Sequence, residues 1–312
     1  MWPAATLAGP GLARLRRRLS RAAPSSSGED SALSRRRRGF DSRRGYLQPE
    51  IHIGPITLQT FGIAFGCAFV VAGAIVAKRM RELGRDPEWA WEMILAALVG
   101  GLVGSRVDFL IENWSSVRHD LASNVVSGSG LVWYGGVIGG ALAVLGWAWW
   151  RGMLSLALLD LAAVPLAAGY ALGRIGCQLS GDGDYGKAWD GPWAMAYPHG
   201  TKPIDTPVHP TPVYETLAMG FAAYALWRLR DRFQPGVLFA LYLVLAGSER
   251  FLVEFIRRNE HVLLGLTWAQ LLSLAMIVAG AAWIALKARR GGIARERQAP
   301  PAAPVAGQAP AG

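Results

Sequence analysis

The sequence predicts an all-α, polytopic membrane protein with about seven transmembrane helices, and three observations lead there. The chain has 312 residues, of which 52% are hydrophobic, yet its formal charge is +10. Eleven Arg against three acids place +8 of that charge in residues 1 to 45, so the remainder carries only +2. A soluble fold of this size does not require so apolar and so weakly charged a body. The second observation is length: apolar runs of about 20 residues, as a membrane-spanning helix needs, recur along the chain. The third is aromatic placement. Of 13 Trp, Trp89, Trp91, Trp114, Trp133, Trp189 and Trp268 flank apolar runs, where an interfacial aromatic belt would lie.

The runs place helices at roughly 57 to 78, 90 to 111, 131 to 150, 156 to 178, 212 to 228, 236 to 256 and 266 to 286. Gly100, Gly101, Gly104, Gly135, Gly136, Gly139 and Gly140 would weaken soluble helices, but in lipid they let neighbouring helices approach closely. Lys and Arg in the short loops set the orientation. Lys78, Arg79, Arg81 and Arg85 follow the first helix, Arg151 the third, Arg228, Arg230 and Arg232 the fifth, and Lys287, Arg289, Arg290, Arg295 and Arg297 the seventh. The alternate loops are poorer in cations. That pattern puts the N-terminus outside, the C-terminus in the cytoplasm and the 179 to 211 loop outside.

Residues 1 to 45 are expected to be a disordered Arg/Ser-rich tail, whose charge lies on the wrong side for this orientation; a targeting-like presequence or a start codon assigned too far upstream would each explain it, and the second is favoured. Residues 46 to 290 form the helical domain, and 291 to 312 an Ala/Pro-rich tail with no folding capacity. The two cysteines, Cys67 and Cys177, and the five scattered His show no metal-ligand spacing. No P-loop, dinucleotide fingerprint or nucleic-acid module is present, so neither a cofactor nor a metal nor a nucleic-acid partner is expected.

Ionisable residues inside spans are functional candidates by default. They are Arg106 and Asp108 in the second helix, Asp160 and Arg174 in the fourth, Glu215 opening the fifth, and Glu249, Arg250 and Glu254 in the sixth. Arg250 and Glu254, four apart on one face, can neutralise each other. Arg174 has no acid at that spacing in its own helix; it feeds the loop "GRIGCQLSGDGDYG", where Asp182 and Asp184 lie. It either snorkels to the interface or offers its planar fork of donors to a phosphate-bearing head group. The segment "VHPTPVYE" brings His209, Tyr214 and Glu215 to the start of the fifth helix between stiffening prolines.

Together these motifs resemble the bacterial prolipoprotein diacylglyceryl transferase family, from about Gly54 to Lys287. Its signature Gly-Arg-x-Gly-Asn-Phe-x-Asn-x-Glu-x-x-Gly is similar to "GRIGCQLSGDGDYG", matching at Gly173, Arg174, Gly176 and Gly186. "HPTPVYE", "RFLVEFIR" and "WYGGVIGG" are similar to three further family motifs, in the same order and helices. The chain departs from the family at Phe61 and Tyr134, at Cys177 and Ser180 for two Asn, at Asp182 for Glu with one extra loop residue that makes Asp184 an alternative, and at Ala246 for Tyr.

The resemblance implies a seven-helix enzyme of the bacterial inner membrane that moves the diacylglyceryl group of phosphatidylglycerol to the lipobox cysteine of a secreted prolipoprotein. Arg174 and Arg250 would stabilise the departing phosphate, and Asp182, Asp184 or His209 would accept the thiol proton. Arg174, Tyr134, Ser180, Tyr214, Glu254 and Arg106 would contact the substrate. A homologue that binds or transports phospholipid without that chemistry is the alternative.

Overall fold

The structure is a computed structural model and describes residues 49–114 and 132–295. The expected tail over residues 1 to 45 lies outside the described residues, as does all but the start of the one over 291 to 312. Among the described residues there are seven long helices: α1 (Thr60–Glu82), α2 (Glu88–Glu112), α3 (Trp133–Trp150), α4 (Leu156–Ser180), α5 (Thr211–Leu229), α6 (Val237–Glu254) and α7 (Trp268–Gly291). Each coincides with an expected run to within a few residues. Four of them, α1, α2, α4 and α7, are long and apolar enough to cross a membrane by length and composition. The helix surfaces expose Val70, Leu142, Phe221 and Val278, a distribution suited to lipid. The molecule is an all-α polytopic membrane protein.

Two short hairpins were not expected. Strands β1 (Glu50–Ile53) and β2 (Ile56–Gln59) pair antiparallel immediately before α1, so the first helix starts at Thr60 rather than near residue 57. The turn between them uses Gly54 at φ +61°, a conformation that costs a residue without Cβ little. In the long segment after α4, β3 (Met195–Tyr197) pairs with β4 (Ile204–Val208). Tyr185, Tyr197 and Val208 bury themselves together there, with the Tyr185 and Tyr197 rings stacked at 4.9 Å. That segment is therefore a folded cap rather than a plain loop.

In lipid, helices gain little from hiding apolar side chains, because the tails are equally apolar; close backbone approach and dispersion decide the packing. The helix contacts follow that rule. A Cβ on Gly104 would fall 2.2 Å from the Gly135 carbonyl oxygen, and one on Gly139 would fall 2.3 Å from that of Gly100. The expected glycine contact between α2 and α3 is thus backbone against backbone. Ala163, Ala167, Ala171, Ala222 and Ala223 similarly bring α4 against α5, with Met219 and Leu226 filling the gaps. A second cluster, with Val76, Met80, Met93, Trp147 and Leu161, joins the first four helices.

Polar ties fix the helix ends. Asp160, an ionisable residue inside α4, accepts from the backbone N–H groups of Gly236 (2.7 Å) and Phe239 (2.9 Å). It satisfies donors that a helix leaves unpaired at its N-terminus, so its role is to cap α6. Asp108 does the same for α3 by accepting from Gly135 N at 2.8 Å. Arg79 bridges Glu82 (2.8 Å) and Asp231 (2.5 Å), and Arg230 bonds Glu82 at 3.1 Å, tying the C-terminal ends of α1 and α5.

Candidate active site

Three arginines converge on one buried carboxylate. Glu215 stands near the start of α5, in its second turn, with its side chain fully buried, and it faces Arg174 of α4 (Nε to Oε2, 2.5 Å), Arg257 just past α6 (Nη1 to Oε1, 3.2 Å) and Arg250 of α6 (Nη1 to Oε1, 3.6 Å). The Arg174 contact lies off the hydrogen-bond axis, so it acts as a charge pair rather than a directed bond. Pro210 and Pro212 flank the start of this helix. The second proline sits where a helix has no use for an N–H, which lets the chain turn sharply and bring Glu215 inward.

Further carboxylates complete the network. Asp184 accepts from Arg174 and, at 2.6 Å, from Arg257 Nη2. Glu254 faces Arg250 at 3.0 Å and accepts from Asn259 Nδ2 (2.6 Å) and the Thr267 hydroxyl (2.8 Å). Thr267 in turn accepts from Gln270 N at 3.2 Å in a capping box that starts α7, so the same hydroxyl joins that helix to the site. Arg174 also donates to Tyr170 Oη at 3.0 Å, one turn back on α4. With Arg174, Arg250 and Arg257 against Asp184, Glu215 and Glu254, the paired charges balance, as burial requires. Arg250 Nη1 is buried without a hydrogen-bond partner, leaving donor capacity at this point.

The loop residues sort into different roles. Asp184 is drawn two ways: burial opposes its charge, but the guanidinium groups of Arg174 and Arg257 outweigh it and hold its carboxyl below the usual range. Asp182 goes the other way, raised by burial with the charge of Asp184 adding to it. Its carboxylate accepts from Asp184 N at 3.2 Å. The Cys177 thiol and the carboxylates of Asp182 and Asp184 lie within 4.8 Å of one another, but this trio does not fit a cation. Both Asp184 oxygens are engaged by arginines, and Arg174 Nη1 lies 3.8 Å from Cys177 Sγ.

His209 stacks on Trp189 at 4.4 Å, with Nδ1 3.3 Å from Tyr214 Oη, which also accepts from Trp193 Nε1 at 2.7 Å. Burial lowers its pKa, favouring the neutral imidazole. Trp189, read from sequence as part of a lipid-interface belt, covers this histidine.

Ser180 and Glu254, expected at the substrate, both have partners within the protein. The Ser180 hydroxyl donates to Cys177 O at 3.3 Å, and its own carbonyl accepts from Thr201 N and Oγ1. It ties the end of α4 to the cap. Glu254 is buried; its Oε1 accepts from Asn259 and Thr267, while Oε2 faces Arg250 as a charge pair without a directed hydrogen bond. Arg106 places its guanidinium 5.0 Å over the Phe109 ring on its own helix, and Tyr134 stands half exposed at the start of α3. Conversely, Glu215 was a candidate only as an ionisable residue opening the fifth helix, and Arg257, the last residue of "RFLVEFIR", was not singled out. Both were visible as charges beside apolar runs; neither pairing was.

The family model for prolipoprotein diacylglyceryl transferase matches residues 49 to 286. The chain belongs to that family. A protein of Leptospira interrogans named phosphatidylglycerol–prolipoprotein diacylglyceryl transferase is 32% identical over 231 residues, covering 65% of this chain and 73% of its own. One of the same name from Burkholderia mallei is 29% identical over 287 residues, covering 79% of this chain and 96% of its own. Within the family frame, "GRIG", "HPTPVYE" and "RFLVEFIR" lie far apart in sequence, and the fold joins them as the arginine and carboxylate network. "WYGGVIGG" instead makes the backbone contact of α3 with α2.

Proposed function

We propose that this chain transfers the diacylglyceryl group of phosphatidylglycerol to the thiol of a lipobox cysteine in a prolipoprotein. Family membership and the names of the relatives support the reaction. The observation that carries it is the convergence of Arg174, Arg250 and Arg257 beneath a cap that holds Asp182 and His209. In the reaction a sulfur–carbon bond forms at the glyceryl carbon while its bond to the phosphate oxygen breaks. Glycerol phosphate departs with the electron pair, and the thiol proton passes to a base. Guanidinium groups stabilise the negative charge as it develops, and Arg250 has the donor available for it. Asp184, held ionised by two arginines, is a poor proton acceptor. Asp182 and neutral His209 are the groups suited to that task.

All seven helices span the membrane in this reading, with the arginine network and the cap on the extracytoplasmic side of the bacterial inner membrane. The opposite end gathers interfacial pairs: Arg151 over Trp150 at 4.6 Å, Arg230 over Trp227 at 4.1 Å, and Lys287 near Trp283 at 5.8 Å. Such cations beside aromatic rings belong at a cytoplasmic interface. Residues 46 to 290 make up the transferase domain.

The test is direct. Purified protein in detergent, given phosphatidylglycerol and a lipobox peptide, is expected to yield a thioether-linked diacylglyceryl peptide and equimolar glycerol phosphate. Asp182→Asn and His209→Asn assayed separately assign the base. One observation favours a lipid-binding homologue instead: Arg174 is already engaged by Asp184, Glu215 and Tyr170. Head-group binding with no thioether product would establish that reading and defeat the first.

A further inference from the structure

Beside the buried network lies a cavity of about 330 Å³, lined by Gly183, Tyr185, Arg257, Arg258 and Asn259. Its size is at the lower end for small-molecule sites, about 300 Å³ and above. The cap holds its walls in place. Lys187 N donates to Ile256 O (2.7 Å) and Lys187 Nζ to Phe255 O (2.8 Å), while Tyr185 Oη donates to Lys202 O (2.8 Å). Gly183 takes φ +101°, and a Cβ there would press within 2.6 Å of the Lys202 side chain.

The lining has a specific chemistry. Arg258 lays its guanidinium 4.5 Å over the Tyr185 ring, and no ion pair engages it among the described residues. Stacking orients that planar group and leaves its edge donors available for an oxyanion. Asn259 uses Nδ2 on Glu254, so its carbonyl oxygen is left to accept from a hydroxyl. Arg257 is the shared wall: it lines the cavity while its Nη atoms bind Asp184 and Glu215.

We infer that this cavity is a subsite for a phosphate monoester bearing hydroxyl groups, and that glycerol phosphate occupies it on leaving the arginine network. The assignment of glycerol phosphate rests on the transferase reading. A dianionic, water-soluble leaving group released among buried arginines needs a cationic path to solvent, and Arg257 followed by Arg258 supplies one. The same chemistry is offered by the head group of intact phosphatidylglycerol, so the two sources must be separated.

Calorimetric titration of glycerol phosphate into the full chain in detergent is expected to give saturable binding with a Kd on the order of 1 mM or tighter, stronger than that of inorganic phosphate. Arg258→Ala is expected to weaken it about tenfold, and Arg258→Lys by less, because charge without the planar fork keeps part of the contact. Binding of phosphatidylglycerol in nanodiscs, measured for the same variants, is expected to change much less. Because Arg258 is exposed, equal melting temperatures verify the fold. Absence of saturable binding, unchanged affinity in Arg258→Ala, or a loss confined to the lipid overturns the inference. Thioether formation with binding that ignores Arg258 removes the subsite and leaves the transferase reading. Arg258-dependent binding without thioether formation does the reverse.

Discussion

Replacing Glu215 by Gln isolates the charge at the centre of the network, since the side chain keeps its shape. The carboxylate is fully buried, with guanidinium nitrogens at 2.5, 3.2 and 3.6 Å. Removal leaves Arg174, Arg250 and Arg257 facing only Asp184 and Glu254. Breaking a buried charge pair costs about 3 to 5 kcal/mol, mostly because the partner is stranded. For a domain of this size each kcal/mol moves the melting temperature by about 2 to 4 °C, so the variant is expected to melt about 6 to 20 °C lower. Asp184→Asn is the internal comparison. It also loses two arginine contacts, but its side chain is 33% exposed, and solvent screening reduces the expected loss to about 1 to 2 kcal/mol.

The assay is the temperature at which half the protein leaves the monodisperse peak after heating in one detergent. Heating rate must be matched, because unfolding of such proteins is often irreversible. Adding Arg250→Gln to Glu215→Gln is expected to recover part of the loss, a coupling of about 0.5 to 3 kcal/mol. If Glu215→Gln melts with the wild type, or above Asp184→Asn, Glu215 is not the anion that holds the three arginines together.

Three further outcomes are expected. Asp184 has a folded-state pKa below its unfolded value, so its stabilisation is complete above the unfolded value of about 3.9 and is lost as pH falls through the lower folded value; acid unfolding measured by circular dichroism should lose that component in Asp184→Asn. Gly104→Ala is expected to destabilise by about 1 to 3 kcal/mol because its Cβ meets the Gly135 carbonyl at 2.2 Å, whereas Gly169→Ala, with nothing within 4 Å, should gain about 0.5 to 1 kcal/mol from helix propensity; equal melting of the two would contradict the α2–α3 packing. In intact cells, with Cys67 replaced by Ser, an impermeant thiol reagent should label a cysteine placed at Lys187 and spare one at Arg289; the reverse pattern inverts the orientation.

The sequence alone determined the seven helices, because an apolar run of about 20 residues bounded by charges and turns is a local property. It also marked Arg174 and Arg250 as costly charges near a membrane and the glycines of α2 and α3 as contact points. Tertiary structure decided which acid each arginine meets. Glu215 lies far along the chain from Arg174, and only the crossing of α4, α5 and α6 brings them to 2.5 Å. Arg257 sits three residues beyond the end of α6, where a loop cation is ordinarily solvated; the cap folded against it makes it a buried partner of Asp184 and Glu215. Asp182 and Asp184 are two residues apart and alike by sequence. Their opposite pKa shifts arise because the fold turns one toward two guanidinium groups and leaves the other partly buried beside Cys177. Helix formation depends on neighbours in sequence, whereas the electrostatics of the site depend on neighbours in space.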